Sequence, residues 1–465
     1  MKRIFITALL AVALLSSNLL AQSSDEIKLP PIHKQTLANG LELVVVEHPE
    51  VPVVAFMLVV KTGGMQDPSS KAGLANFVAD LLRQGTKTKT STEISDQIDF
   101  IGGSLGAGAD YDYLSASCQV LKKYFDKGLD LLSDVVLNPA FSDQEIERLR
   151  SRRIGEIKES MDDPETMADL KFRGFLFGNN PLAFPLDGTE KSVSSFTRDD
   201  IVGFHRNYFV PNNTILAVVG DVKFSEVFPK IKQKFSSWKK QNLSTPSYSQ
   251  AEPVKGYQIM LVDKPDLTQT YIQFGHLGLK RNNPDYFPIR IMNYILGGGG
   301  FSSRMFQEVR AKRGLTYGIS CTFAHQKEGG SYEVNTFTRN DSTLAAIQAS
   351  LAEIKKIRAG KVSDQELEDA KNFYFGYFPF RFETPQQIAN MIIDVEIYGL
   401  GDDYIKNYRQ NVKKVTADDV LRVAQKYLDP DNIKFVVVSN AADVKAKLES
   451  LGNVKVVPFT EHSGS

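Results

Sequence analysis

Two clusters in this chain carry side chains whose types and spacing could do chemistry. The first is the segment Gly73–Thr86, where Leu74, Phe77, Val78, Leu81 and Leu82 recur at the spacing of an amphipathic helix that stops at a glycine. Its other face carries Asn76, Ala79 and Asp80. A neutral amide is a poor ligand for a transition metal, and a methyl group can neither take nor give a proton. None of the six histidines (His33, His48, His205, His276, His325, His462) falls in this helix, and no two are four residues apart. A pair of imidazoles on one helix face is therefore not available to grip zinc. The second cluster follows the tract Gly297–Gly300: Arg310 and, seven residues on, Tyr317. A guanidinium and a phenol are both hydrogen-bond donors. The plainer reading pairs Arg310 with a neighbouring carboxylate and packs Tyr317 in a core. The glycine tract reads as a helix end and turn, and by itself it is weak evidence for a phosphate site.

The elements that must hold these residues are duplicated. The block Ser142-Asp143-Gln144-Glu145-Ile146-Glu147 recurs 221 residues later as Ser363-Asp364-Gln365-Glu366-Leu367-Glu368. Thr197-Arg198-Asp199-Asp200-Ile201, with Tyr208, Pro211 and Asn213, recurs 219 residues later from Thr416, with Tyr427, Pro430 and Asn432. Two independent blocks at nearly one offset mark a duplicated unit of roughly 220 residues. Within the first unit Leu41–Glu47 and Val53–Val60 read as buried strands, while Thr90–Ile101 and Lys122–Leu137 have helical spacing. Ser142 and Ser363 read as N-caps completed by Glu145 and Glu366, and Thr197 and Thr416 open a second matching helix. Each unit then reaches a strand, Thr214–Val219 and Lys434–Val438. Strands and helices interleaved in this way predict an α+β fold of two tandem, homologous sandwich domains, each a sheet against helices.

Lys239–Lys255 is polar and Pro/Ser-rich, the composition of a linker. The expected organisation is a signal peptide at 1–21, a first domain at 22–238, the linker at 239–255, a second domain at 256–458 and a tail at 459–465. Lys2 and Arg3 precede the apolar run Ile4–Leu15, and Ala21 suits cleavage, the pattern of a secretory leader. An exported protein, in a periplasm or cell envelope, with no stable membrane insertion after cleavage, is the expectation. The 465 residues include 55 Lys+Arg against 55 Asp+Glu. That balance offers no general attraction to phosphate backbones, so nucleic acid is not an expected partner. With only two cysteines, Cys118 and Cys321, in different units, a disulfide scaffold is excluded and two free, buried thiols are expected.

On these residues the chain resembles the insulinase/pitrilysin family of zinc metallopeptidases. Gly73–Thr86 is similar to the family's zinc helix, whose motif is His-x-x-Glu-His between Gly-Leu-Ala and Gly-Thr segments, and the likeness extends to Gly63–Pro68 before it and Gly102-Gly103 after it. Asn76, Ala79 and Asp80 stand at the positions of the two imidazoles and the base, and Glu156 matches the family's distal carboxylate ligand. The resemblance therefore implies a degenerate site with no metal and no cofactor in this chain, zinc being expected in a partner. The remaining alternative is a hard cation held through the oxygens of Asn76, Asp80 and Glu156. In the second unit Arg310 and Tyr317 match the family's pair that reaches across a closed cavity to the substrate, and the resemblance implies one half of a clamshell. It also places a peptide-binding sheet edge at the small-residue run Gly103, Ser104, Leu105, Gly106 and Ala107.

Two functions follow from the resemblance. The chain is the zinc-less subunit of a heterodimeric peptidase, acting on peptides and lending Arg310 and Tyr317 to a homologous zinc-bearing subunit. Alternatively, it is a non-enzymatic peptide-binding or scaffold subunit of an envelope complex.

Overall fold

The computed structural model describes residues 30–244 and 246–460, so the expected leader lies outside the described residues. Two six-stranded sheets organise the chain. In the first, Ile32–Thr36 (β1), Glu42–Glu47 (β2), Val53–Val60 (β3), Ser104–Ala109 (β4), Leu114–Leu121 (β5) and Thr214–Gly220 (β6) stand in the order β1-β2-β6-β3-β5-β4. In the second, Tyr257–Asp263 (β7), Gln269–Leu277 (β8), Thr316–His325 (β9), Gly330–Arg339 (β10), Ile433–Ser439 (β11) and Val454–Pro458 (β12) stand in the order β12-β7-β11-β8-β10-β9. Five strands of each sheet correspond in order and direction: the parallel pair β2/β6 answers β7/β11, and the antiparallel run β6-β3-β5-β4 answers β11-β8-β10-β9. The sixth differs, because β1 joins its edge antiparallel and β12 joins its edge parallel. The duplication visible in two sequence blocks is thus a duplicated α+β fold.

The same blocks supply the matching helix starts. Ser363 accepts from the Glu366 amide while Glu366 reaches back, a complete capping box before the helix Asp364–Tyr377. Ser142 accepts the Glu145 amide before the helix Asp143–Met161, but Glu145 turns to Arg148 instead, so the reciprocal half is not made. Thr197 and Thr416 form complete boxes with Asp200 and Asp419. The helix Phe125–Leu137 begins later than its spacing suggests, since Lys122–Tyr124 form a tighter 3-10 turn.

Strand β3 is apolar along its whole length because both of its faces are covered. Val54, Phe56, Leu58 and Val60 pack under helices of their own unit, whereas Met57 and Val59 pack with Ile388, Met391 and Ile392 of the helix Pro385–Tyr398. The exchange is reciprocal. The first unit's helix Pro164–Phe177 lies on the second sheet, where Met167, Ala168 and Phe172 pack against Val262, Val436 and Val438. Each unit therefore completes the other's core. Phe172 is fully buried at this junction, so Phe172→Ala should cost about 3–5 kcal/mol. Urea unfolding followed by fluorescence checks this, and the loss should appear in the transition of the whole chain.

Between the helix Phe224–Phe235 and β7 no helix or strand occurs among the described residues. The segment is nonetheless packed, with Tyr248, Ala251 and Val254 against the Met167–Phe172 cluster and Asn180 Nδ2 donating to the Ser249 carbonyl at 2.6 Å. Cys118 and Cys321 are free and buried, and burial pushes both thiols up to about 12.

Candidate functional site

The degenerate helix spans Leu74–Leu81, shorter than the segment that shows its spacing, because the chain leaves helical geometry after Leu82 and Gly85 takes φ +121°. Its start is fixed by the Gly63–Pro68 flank. Asp67 caps the helix, accepting the Gly73 amide at 2.9 Å and the Ala75 amide at 3.0 Å. Burial pushes the Asp67 carboxyl up to about 8 against the pull of these donors. Gly73 is required there, with φ +88° and the Gly188 amide nitrogen 2.5 Å from where a Cβ would stand.

Asn76 and Asp80 lie on the polar face of the helix, and that face is partnered from within the chain. A guanidinium lies between them and Glu156. Arg153, on the helix Asp143–Met161 and only 7% exposed, donates through Nη2 to Asp80 and through Nη1 to Asp187. Its Nε lies 3.4 Å from Glu156, whose other oxygen is 3.5 Å from Arg152. Asn76 donates to Asp187 at 2.9 Å and accepts the Ala109 amide at 3.4 Å. Ala79 is fully buried. Asp80, Asp187 and Glu156 thus lie within ion-pair distance of a cation the chain supplies itself, and Asn76 is held by Asp187 rather than by the guanidinium. The family's zinc does not fit this donor set, and the hard-cation alternative fails for the same reason. Among the described residues no group of three or more His, Cys, Asp or Glu is arranged to hold an ion.

The edge expectation maps onto β4, whose outer side has no strand neighbour. That side is partly occupied, since Arg83 donates to the Leu105 carbonyl at 3.4 Å and Asn76 holds the Ala109 amide. The middle remains open. A Cβ at Gly108 would meet nothing within 4 Å, so the fold of this chain does not demand a glycine there.

Arg310 and Tyr317 form the second cluster, and neither takes its plainer role. Tyr317, near the start of the edge strand β9, is 74% exposed. The Arg310 guanidinium lies 4.6 Å from the Tyr317 ring centroid and 4.7 Å from that of Phe306, with Phe301 at 5.5 Å. No ion pair to a carboxylate is formed by Arg310 among the described residues. The glycine tract is steric in origin: a Cβ at Gly298 or Gly299 would stand 2.6–2.7 Å from Asn293 or Tyr294. It is part of a π-helical turn over Tyr294–Gly298 rather than a plain helix end, and Phe306–Lys312, which carries Arg310, is a second such turn. Arg304 anchors the segment by a two-pronged ion pair to Glu366 at 2.6 and 2.8 Å, and that guanidinium holds the Glu366 carboxyl down to about 2. Beside the pair a cavity of about 340 Å³ opens between the second sheet and the helix Pro164–Phe177, lined by Tyr271, Gln273, Phe301, Phe306, Phe337 and Glu165 among others.

Sequence reasoning missed Arg153 and Asp187. Arg153 stands three residues before Glu156, a helical neighbour, which was the one available signal; nothing in the spacing connects Asp187 to the site. It also missed the aromatic cradle of Phe301 and Phe306 around Arg310. Among the described residues no histidine contacts either cluster; His205, for example, is buried against the Val136 carbonyl, and burial lowers its imidazole to about 4.

Fold and site together define a peptidase-like protein of two homologous units whose own metal-binding position is filled by an arginine. The chain belongs to the insulinase family: the family's description "Insulinase (Peptidase family M16)" matches residues 43–190 and "Peptidase M16 inactive domain" matches residues 195–374. It is similar to an uncharacterized zinc protease of Rickettsia bellii (27% identical, covering 88% of this chain and 92% of that protein). It is also similar to the non-peptidase homolog YmxG of Helicobacter pylori (23% identical, covering 95% and 99%). Among solved structures, the peptidase M16 inactive domain from Pseudomonas fluorescens superimposes with a TM-score of 0.82 at 26% identity, covering 88% of this chain and 97% of that one.

Proposed function

We propose that this chain is the zinc-less subunit of an exported, two-chain metallopeptidase that degrades or processes peptides in the cell envelope. In this reading a homologous subunit carrying His-x-x-Glu-His brings the zinc, and Arg310 and Tyr317 are presented to the substrate held there. The observation that carries the reading is the state of the second cluster: Arg310 has no carboxylate partner among the described residues and lies 4.6 Å from the ring centre of a Tyr317 that is largely in solvent. An arginine whose described partners are aromatic rings keeps its guanidinium donors open to a ligand. The filled first cluster supports the same reading, because the chain then needs its metal from elsewhere. The test is to purify the chain with a zinc-bearing homologue, follow cleavage of an unfolded peptide, and compare variants at Arg310 and Tyr317. Undiminished joint activity in both variants sinks the proposal.

The open middle of β4 favours a second reading, a subunit that only binds extended peptide or protein by adding a strand. Gly108→Val distinguishes that use of the edge from a purely structural one. The melting temperature should stay within about 2 °C of the parent, since a Cβ there meets nothing within 4 Å and a β-branched residue suits a strand. Peptide binding, followed by fluorescence anisotropy, should weaken at least about tenfold, a loss of ~1.4 kcal/mol.

A further inference from the structure

We infer that Arg153 is a cation built permanently into the place where the family gathers its metal ligands, and that it, with Asp187, bars a metal from this chain independently of the three changed motif positions. This goes beyond the peptidase-partner reading and does not depend on it. The network joins four separate parts of the chain: Asp80 and Asn76 on the Leu74–Leu81 helix, Arg153 and Glu156 on the Asp143–Met161 helix, the loop residue Asp187, and the Ala109 amide of β4. A guanidinium matches carboxylates at several fixed angles at once. Here one Arg hydrogen-bonds Asp80 and Asp187, and Glu156 lies 3.4 Å from its Nε as a looser charge neighbour. Its side chain is 8% exposed whereas those of Glu156 and Asp187 are 55% and 66% exposed, so the cation is the buried member and the acids form its rim. A divalent ion brought to Glu156 and residue 80 would have to approach this fixed positive charge and take away its acceptors.

The consequence is that restoring the family motif does not restore the metal. The chain carrying Asn76→His, Ala79→Glu and Asp80→His, with Arg153 kept, is expected to retain no stoichiometric zinc after dialysis, by elemental analysis. Adding Arg153→Ala to those three is expected to give stoichiometric zinc and a melting temperature that rises with added Zn²⁺ and falls with chelator. Stoichiometric zinc in the three-residue variant overturns the inference, and so does its absence from a folded four-residue variant. Circular dichroism establishes whether each variant is folded. Should the four-residue variant not fold, the three-residue variant decides alone, by its melting temperature under Zn²⁺ titration: no shift sustains the inference and a saturating rise refutes it.

Discussion

In the proposed pairing with a zinc-bearing homologue, Arg310→Ala is expected to lower kcat/KM by about 10²–10³, the usual cost of removing one donor from a developing oxyanion. The loss should fall mainly on kcat, because a guanidinium that meets charge formed in the transition state contributes little to binding the ground-state peptide. Tyr317→Phe keeps the ring that stacks on Arg310 at 4.6 Å and removes only the hydroxyl. Its effect on rate thus isolates the phenol's hydrogen bond from its packing. Stability should scarcely change in either variant. Arg310 makes no carboxylate pair among the described residues, Tyr317 is 74% exposed, and a cation–π contact at such a site contributes about 0.5–1 kcal/mol. A steady-state assay with a quenched fluorescent peptide, run beside a thermal melt, checks both halves of this expectation. A large drop in melting temperature with an unchanged rate would return Arg310 to a structural role.

Arg153→Ala in the otherwise unaltered chain is expected to destabilise it by about 3 kcal/mol, near the lower end of what breaking a buried ion pair costs. The lower end applies because Glu156 and Asp187 are more than half exposed and can turn to water, whereas Asp80, at 18% side-chain exposure, cannot fully do so. The melting temperature should fall by about 3–4 °C, the shift expected for a cooperative unit of this size. Asp80→Ala should cost less than Arg153→Ala, since it leaves the guanidinium its bond to Asp187. Because the two residues share one interaction, the double variant should lose clearly less than the sum of the single losses, which chemical denaturation of all four proteins measures. Additive losses would mean that Arg153 and Asp80 stabilise the chain separately.

Much of this molecule was legible in its residues. The duplicated caps at Ser142/Ser363 and Thr197/Thr416 announced two copies of one unit, because capping is local chemistry that a few neighbouring side chains decide. The absence of imidazoles and of a base at Asn76, Ala79 and Asp80 was equally plain, since what a side chain can donate or accept does not depend on the fold. The continuous apolar run of β3, both of whose faces the structure covers, announced a buried strand. It could not say that the helix Pro385–Tyr398, more than three hundred residues away in sequence, covers one of them.

The tertiary structure alone decided what replaced the lost metal site. Arg153 reaches Asp80 from another helix and Asp187 reaches Arg153 from a loop, and beyond the three-residue spacing of Arg153 and Glu156 the sequence carries no sign of these pairings. It also decided that Arg310 faces rings rather than a carboxylate, a choice set by the π-helical turns around the glycine tract and by the Arg304–Glu366 anchor. Local signals fix caps, periods and chemical capability because they act over a few residues. Partners drawn from distant parts of the chain depend on how whole elements pack, and there the arrangement in space holds the information.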